Sequence, residues 1–208
     1  MSHGFRRNRR FVVLGLALGA LFGLPSIVAA QTASRARAVQ VTVPGATVLG
    51  ITLPGTTTVL ADTGALSRGA TDALQASSVA ASVPPLLSGD SLHATVIGLP
   101  DQAASEASLG GLGLSVGGNS ISADFIMARA LAVNGAGAYG DSEIDGLSIN
   151  GAMVQVTGDP NQTIPLVGGV LILNEQQTDA GGALVNALHV VVNGIADIVV
   201  ASASAAAP

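Results

Sequence analysis

The stretch LVNALHVVV, residues 184–192, decides the fold class. Every second position places Leu184, Asn186, Leu188, Val190 and Val192 on one face and Val185, Ala187, His189 and Val191 on the other. Both sets are largely apolar, the pattern of a strand enclosed in a packed sheet. Working outward, the period of two recurs. Ile121, Ala123, Phe125 and Met127 line one face of a segment whose other face holds Ser122 and Asp124, which predicts a half-buried strand. Further strands are expected over 39–43, 47–53, 56–60, 92–97, 108–116, 143–149, 153–157, 164–173 and 195–202, for a total of roughly ten or eleven.

Turn chemistry separates these runs. Asn150-Gly151, Gly117-Gly118 before Asn119, and Asn193-Gly194 each join two of them, and such pairs tolerate the positive φ that two-residue hairpins require. Antiparallel hairpins follow. Breaks in the sheet are expected over 63–91, which contains SVPP, and over 158–162, GDPNQ. Alanine-rich sequence gives the first of these room for a short helix around 70–80. LHATVIG (92–98) and LHVVVNG (188–194) form a faint echo, but the hairpin turns are irregularly spaced. The expected fold is therefore all-β, a single antiparallel β-sandwich or jelly-roll-like domain, with a β-solenoid as the alternative.

The N-terminus reads as an address. Arg6, Arg7, Arg9 and Arg10 precede an apolar run over 11–24, and Val28-Ala29-Ala30 supplies small residues for a signal peptidase. Residues 1–30 are expected to be an export leader cleaved after Ala30, residues 31–203 the β domain, and 204–208 a disordered tail. The apolar run is short for a membrane span and Pro25 ends it, so no span is expected in the mature chain. Without the leader, Arg35, Arg37, Arg68 and Arg129 stand against 13 Asp and Glu, a net charge of −9. That excess repels phosphates and excludes a nucleic-acid partner. With no cysteine and no tryptophan, and only five Phe and Tyr, the core must be built from Val, Ile, Leu and Ala. That is poor material for an aromatic stacking platform.

Three sets of residues invite a chemical reading. TVLADTGAL (58–66) presents Asp62 as an aspartic protease presents its catalytic carboxylate. Two carboxylates sharing a proton are needed there, so a single copy implies a homodimer. The retroviral signature resembled by VLADTGA also expects an apolar-apolar-Gly segment well downstream. TVIG (95–98) is the nearest match and lies early. Asp-Thr-Gly after a strand is equally a turn, and the turn is the expectation. DSEIDG places Asp141, Glu143 and Asp145 at alternate positions like the start of a calcium loop, but Ala152 stands where a bidentate glutamate belongs. The plainer reading is a strand with Glu143 and Asp145 solvated and Ile144 inward. His93 and His189 would approach each other if their strands were neighbours, yet zinc needs three or four ligands. Asp101, Glu106 and Asp124 show no ligand spacing, and no cofactor is expected.

Several segments together, VLADTGAL, LLSGDSLHATVIG, SEASLGGLGLSVGGNSISADFIMARA, SEIDGLSINGAMVQVTGDPNQTIPL, LILNEQ and VNALHVVVNGIADIVVASA, resemble the choice-of-anchor P family of bacterial exported proteins. The resemblance runs from about Val39 to Ala203 and implies an extracytoplasmic domain of unassigned activity, with no catalytic residue to carry over. In that family different C-terminal sorting signals provide the tether. The tail ASASAAAP has no such signal, which favours release or association with a partner. The expectation is a secreted or envelope-associated structural or adhesive β domain that meets an unknown protein or cell-surface partner. A homodimeric aspartic peptidase using Asp62 and a calcium-dependent adhesion domain using Asp141, Glu143 and Asp145 are the alternatives.

Overall fold

The computed structural model describes residues 33–48 and 51–208; the expected leader and its cleavage site lie outside the described residues. The chain is all-β, with antiparallel sheets that close into neither a barrel nor a solenoid. In order the strands are β1 (Ala33–Val43), β2 (Ala46–Val48), β3 (Ile51–Leu53), β4 (Thr56–Asp62), β5 (Leu66–Ser67), β6 (Ala73–Ser78), β7 (Ala81–Val83), β8 (Leu87–Gly89) and β9 (Leu92–Gly98). They continue with β10 (Gln102–Val116), β11 (Asn119–Val133), β12 (Gly137–Asp145), β13 (Ser148–Ile149), β14 (Ala152–Met153), β15 (Gln162–Leu166), β16 (Gly169–Thr178), β17 (Gly182–Val192) and β18 (Ala196–Ala206).

A seven-stranded sheet runs β15-β16-β17-β18-β1-β4, with β5 also on β1. A nine-stranded sheet is built on the β10–β11 hairpin, whose partners are β8 and β9 on one side and β12 and β13 on the other. The two sheets stack as a β-sandwich, β17 and β18 lying over β10, β11 and β12. Leu109, Leu114, Ile121, Ile126, Leu171, Leu173, Leu188 and Ile198 fill the space between them, each at most 1% exposed. Each such side chain stabilises the fold by roughly 1.5–3 kcal/mol, and aliphatic burial of this extent takes the place of disulfides and aromatic stacking.

The structure explains the two apolar faces of 184–192 differently from the sequence reading. In β17 the inward side chains are Ala183, Val185 and Ala187, and then Leu188, Val190 and Val192; the alternation inverts between Ala187 and Leu188. The same inversion occurs at one level in every neighbouring strand. Asn174, Ala187, Ala201, Ala38 and Ala61 form a seam across the seven-stranded sheet, and all are left out of the paired ladder while the register continues on either side. Asn174, Ala201 and Ala61, on alternate strands, have positive φ of 50°, 54° and 47°. The second sheet carries an equivalent seam through Gly111 and Asp124, and the ladder partners of β11 change there from β12 to β13 across Gly146. Gly111 and Gly146 have φ of 61° and 64°, a conformation that L side chains resist, and the carboxylates of Asp90 and Asp124 occupy the space where their Cβ atoms would lie. Ile121 and Ala123 accordingly share the inward face with Ile126 and Ala128, and not with Phe125.

The hairpins at Gly117-Gly118 and Asn150-Gly151 have the expected two-residue turns, whereas Asn193-Gly194 opens into a three-residue loop with Val192 opposite Ala196. Other expectations need correction. No helix is present among the described residues. Residues 73–78 instead pair with β9, because a sheet edge with unpaired backbone groups outweighs a weak alanine propensity. The expected strands 47–53 and 164–173 are each hairpins. Residues 204–208 are not a disordered tail. β18 runs through Ala206, the Ala206 amide donates to Ser34 Oγ at 3.0 Å, the Ala207 amide donates to the Gly181 carbonyl at 2.9 Å, and Ala205, Ala206 and Ala207 are buried.

Candidate functional sites

Asp62 ends β4 opposite Arg37 on β1. The Arg35 guanidinium meets it in a bidentate pair, with Nε donating to Oδ1 at 2.7 Å and Nη2 donating to Oδ2. The Gly64 amide donates to Oδ1 at 2.9 Å, and Gly64 has φ of 76°, so Asp-Thr-Gly is a side-chain-closed turn. Thr63 ties that turn to β1: its amide donates to the Ala36 carbonyl at 3.0 Å and its Oγ1 accepts from the Ala36 amide at 3.1 Å. Burial alone would push the Asp62 carboxyl up. The Arg35 and Gly64 hydrogen bonds outweigh it and hold the group below the usual carboxylate range.

The most developed polar cluster lies on the outer face of the seven-stranded sheet and was not expected from the sequence. His189 on β17 stands between two carboxylates, with Nδ1 2.9 Å from Glu175 Oε2 on β16 and Nε2 3.0 Å from Asp197 Oδ1 on β18. Asn186 Nδ2 donates to the same Glu175 oxygen at 2.7 Å. Burial would lower the histidine pKa, but the hydrogen bonds and charges of Asp197 and Glu175 overcome it and raise it to about 9. For Glu175, burial pushes upward and the bonds from His189 and Asn186 win, leaving its pKa lowered. At neutral pH the cluster is therefore an imidazolium clamped by two carboxylates across three strands. The seam makes it possible: strict alternation would place Asn186 and His189 on opposite faces, and the inversion at Ala187 brings them to the same one. No sequence spacing reveals this set, because its members meet only through the register Ile172↔His189↔Val199 and the inversion beside it.

His93 is on β9, in the other sheet, with Ser108 and Ser77 as its ladder neighbours. Since the inward residues of β9 are Leu92, Ala94 and Val96, the two histidines lie on opposite outer faces of the sandwich and do not approach each other. Asp141, Glu143 and Asp145 are exposed on β12, opposite Arg129, Met127 and Phe125, with Ile144 8% exposed and inward. A strand advances about 3.4 Å per residue, so the outer two carboxylates of this row start about 14 Å apart. Calcium holds its ligands at about 2.3–2.6 Å, which requires a folded loop in place of a strand. Among the described residues no three His, Cys, Asp or Glu side chains are grouped as metal ligands would be.

The same outer face holds a shallow concavity of about 390 Å³. Its apolar row, Ile97, Ala104, Leu131 and Tyr139, crosses β9 to β12 in register, beside a polar row of Thr95, Glu106, Arg129 and Asp141. Tyr139 is 60% exposed, and Arg129 Nε donates to Glu106 Oε2 at 2.9 Å. Asp101 and Asp124 are exposed and stand apart from this group. No helix among the described residues is long and apolar enough to cross a membrane. Comparison with family models, with curated proteins and with solved structures finds no match for the chain.

Proposed function

We propose that this chain is an exported, non-catalytic β domain of the choice-of-anchor P type, a structural or adhesive module of the bacterial surface or its surroundings. The observation that carries the reading is the state of Asp62. The one carboxylate set in a catalytic-looking motif is engaged on both oxygens by Arg35 and closes its own turn through Gly64, a role that locks β4 to β1. A carboxylate that shared a proton with a partner's Asp62 would have to give up that guanidinium. The rest of the molecule fits a scaffold: apolar side chains are spent between the sheets, while acidic groups and the Tyr139 concavity face outward.

The test has two arms. Incubated at acidic pH with an unstructured protein substrate, the purified chain should give no cleavage above the blank; cleavage abolished by Asp62→Asn would replace this reading with the dimeric aspartic peptidase. In the second arm, retention of the chain on washed bacterial envelopes should fall several-fold with Tyr139→Ser and Arg129→Glu. Equal retention of all variants would remove the Tyr139 face as the adhesive one. Asp62→Asn itself should lower stability by about 1 kcal/mol, since the pair is partly solvated.

A further inference from the structure

The edges of the two sheets are not alike. β15 carries Pro165 at an exposed position, and β12 carries Asp141, Glu143 and Asp145, both recognised ways of blocking edge-to-edge pairing. β7 and β14 have only three and two residues. β6 is free of proline and charge, but one of its faces is half-buried at Leu74 and Ala76. β4 differs from all of these. Thr56, Thr57, Thr58 and Val59 are exposed, belong to the last strand of their sheet, and include neither proline nor charge.

This edge lies on an arm. Beyond Val43↔Thr56 the β1–β4 ladder passes a neck at Gly45 and Gly55, where a Cβ on Gly45 would lie 2.7 Å from the Leu53 carbonyl and 2.9 Å from the Gly55 amide, and resumes as the β2–β3 hairpin. Thr42 with Thr57, and Thr47 with Thr52, are hydroxyl pairs across the arm at 3.2 and 3.3 Å. Residues 52–59 are exposed without interruption. Between Arg37 and Asp62 the sequence contains no charged residue, in a chain whose net charge is −5. Two copies of an acidic protein repel over most of their surface, and this arm is where they approach without that cost. Its threonines and valines are also strong strand formers.

We propose that the β4 edge pairs with the β4 edge of a second copy of this chain, antiparallel and about a two-fold axis, so that the seven-stranded sheets of two molecules join into one. A closed two-fold contact of this kind gives a dimer and no filament. The proposal stands apart from the adhesive reading, which concerns the opposite sheet.

Light scattering on the purified chain should give twice the chain mass at tens of micromolar. T57K/V59K and T57E/V59E should each dimerise at least tenfold more weakly with unchanged melting temperature, and mixing the two should restore the dimer. A monomeric parent chain would overturn the proposal, as would dimers that survive both charge variants or fail to return on mixing. A second measurement does not depend on those variants folding well. The chain has no cysteine, so single cysteines at Thr56, Thr57, Thr58 and Val59 can be oxidised one at a time. At least one should give a disulfide-linked dimer while a cysteine at Thr163 on β15 does not; cross-linking at Thr163 alone would assign the interface to the wrong edge.

Discussion

β17 and β4 belong to one sheet and were both legible as strands, yet they do opposite work. β17 lies under the second sheet, and Val185, Ala187, Leu188 and Val190 on it are 0% exposed. Thr56 and Thr58 on β4 point to the same side as the buried Val41 but stay exposed to water. A strand's contribution to stability is thus set by what lies across from it more than by its own β propensity. The sharpest way to break this contrast is to truncate one side chain on each strand. Leu188→Ala should cost about 2–5 kcal/mol through lost burial and a cavity, whereas Thr58→Ala should stay within about 0.5 kcal/mol. Denaturant melts measure both, and equal losses would show that the stacking of the sheets over β17 is wrong.

The two strands also each contribute to an ion-pair cluster, and pH separates these two. His189 has a folded pKa of about 9 against 6.5 when unfolded, so its clamp is fully stabilising below about pH 6.5 and is lost as pH rises through about 9. Glu175 and Asp62 have lowered pKa values; their contributions are present above the ordinary carboxylate range and disappear as pH falls through the folded values. Stability should therefore decline on both limbs. On the alkaline side the fall should be on the order of 2 kcal/mol, after discounting the solvated Asp197 end of the clamp. His189→Gln should flatten that limb and leave the part of the acid limb due to Asp62 on β4 intact. An alkaline limb unchanged by the substitution would mean that the β17 cluster is not an imidazolium clamp.

How far the sequence could be read follows from the same contrast. Hairpins were legible where the turn chemistry is local, as at Gly117-Gly118 and Asn150-Gly151. The inversion at the seam was not, because a one-residue phase change inside a strand turns one buried face into two apparent apolar faces, and 184–192 then reads like a strand covered on both sides. Ala187 and Ala201 announce nothing; Gly111 and Gly146 in the other sheet, and Asn174 in this one, are residue types that favour the conformation, but none of them stands out from the many glycines and asparagines of ordinary turns. Asp62 was legible as a turn, but its partner Arg35 lies 27 positions away and is placed by the β1–β4 register. The His189 cluster needed both register and seam, which is why it escaped a search for ligand spacings.

The smallest expected effect concerns the acidic row on β12, the charged edge that contrasts with the uncharged run Thr56–Val59 of β4. If Asp141, Glu143 and Asp145 opened a calcium loop, millimolar calcium would raise the melting temperature and Asp141→Ala would abolish the rise. On a strand the carboxylates stay at ladder spacing, and Arg129, directly opposite Asp141, already offsets part of their charge. The expected shift is within the error of the melt for the parent chain and for Asp141→Ala alike. A clear rise confined to the parent would require β12 to leave its ladder with β11 in order to wrap the ion. That movement would expose Ile144 and convert the acidic edge from a barrier against pairing into a binding loop.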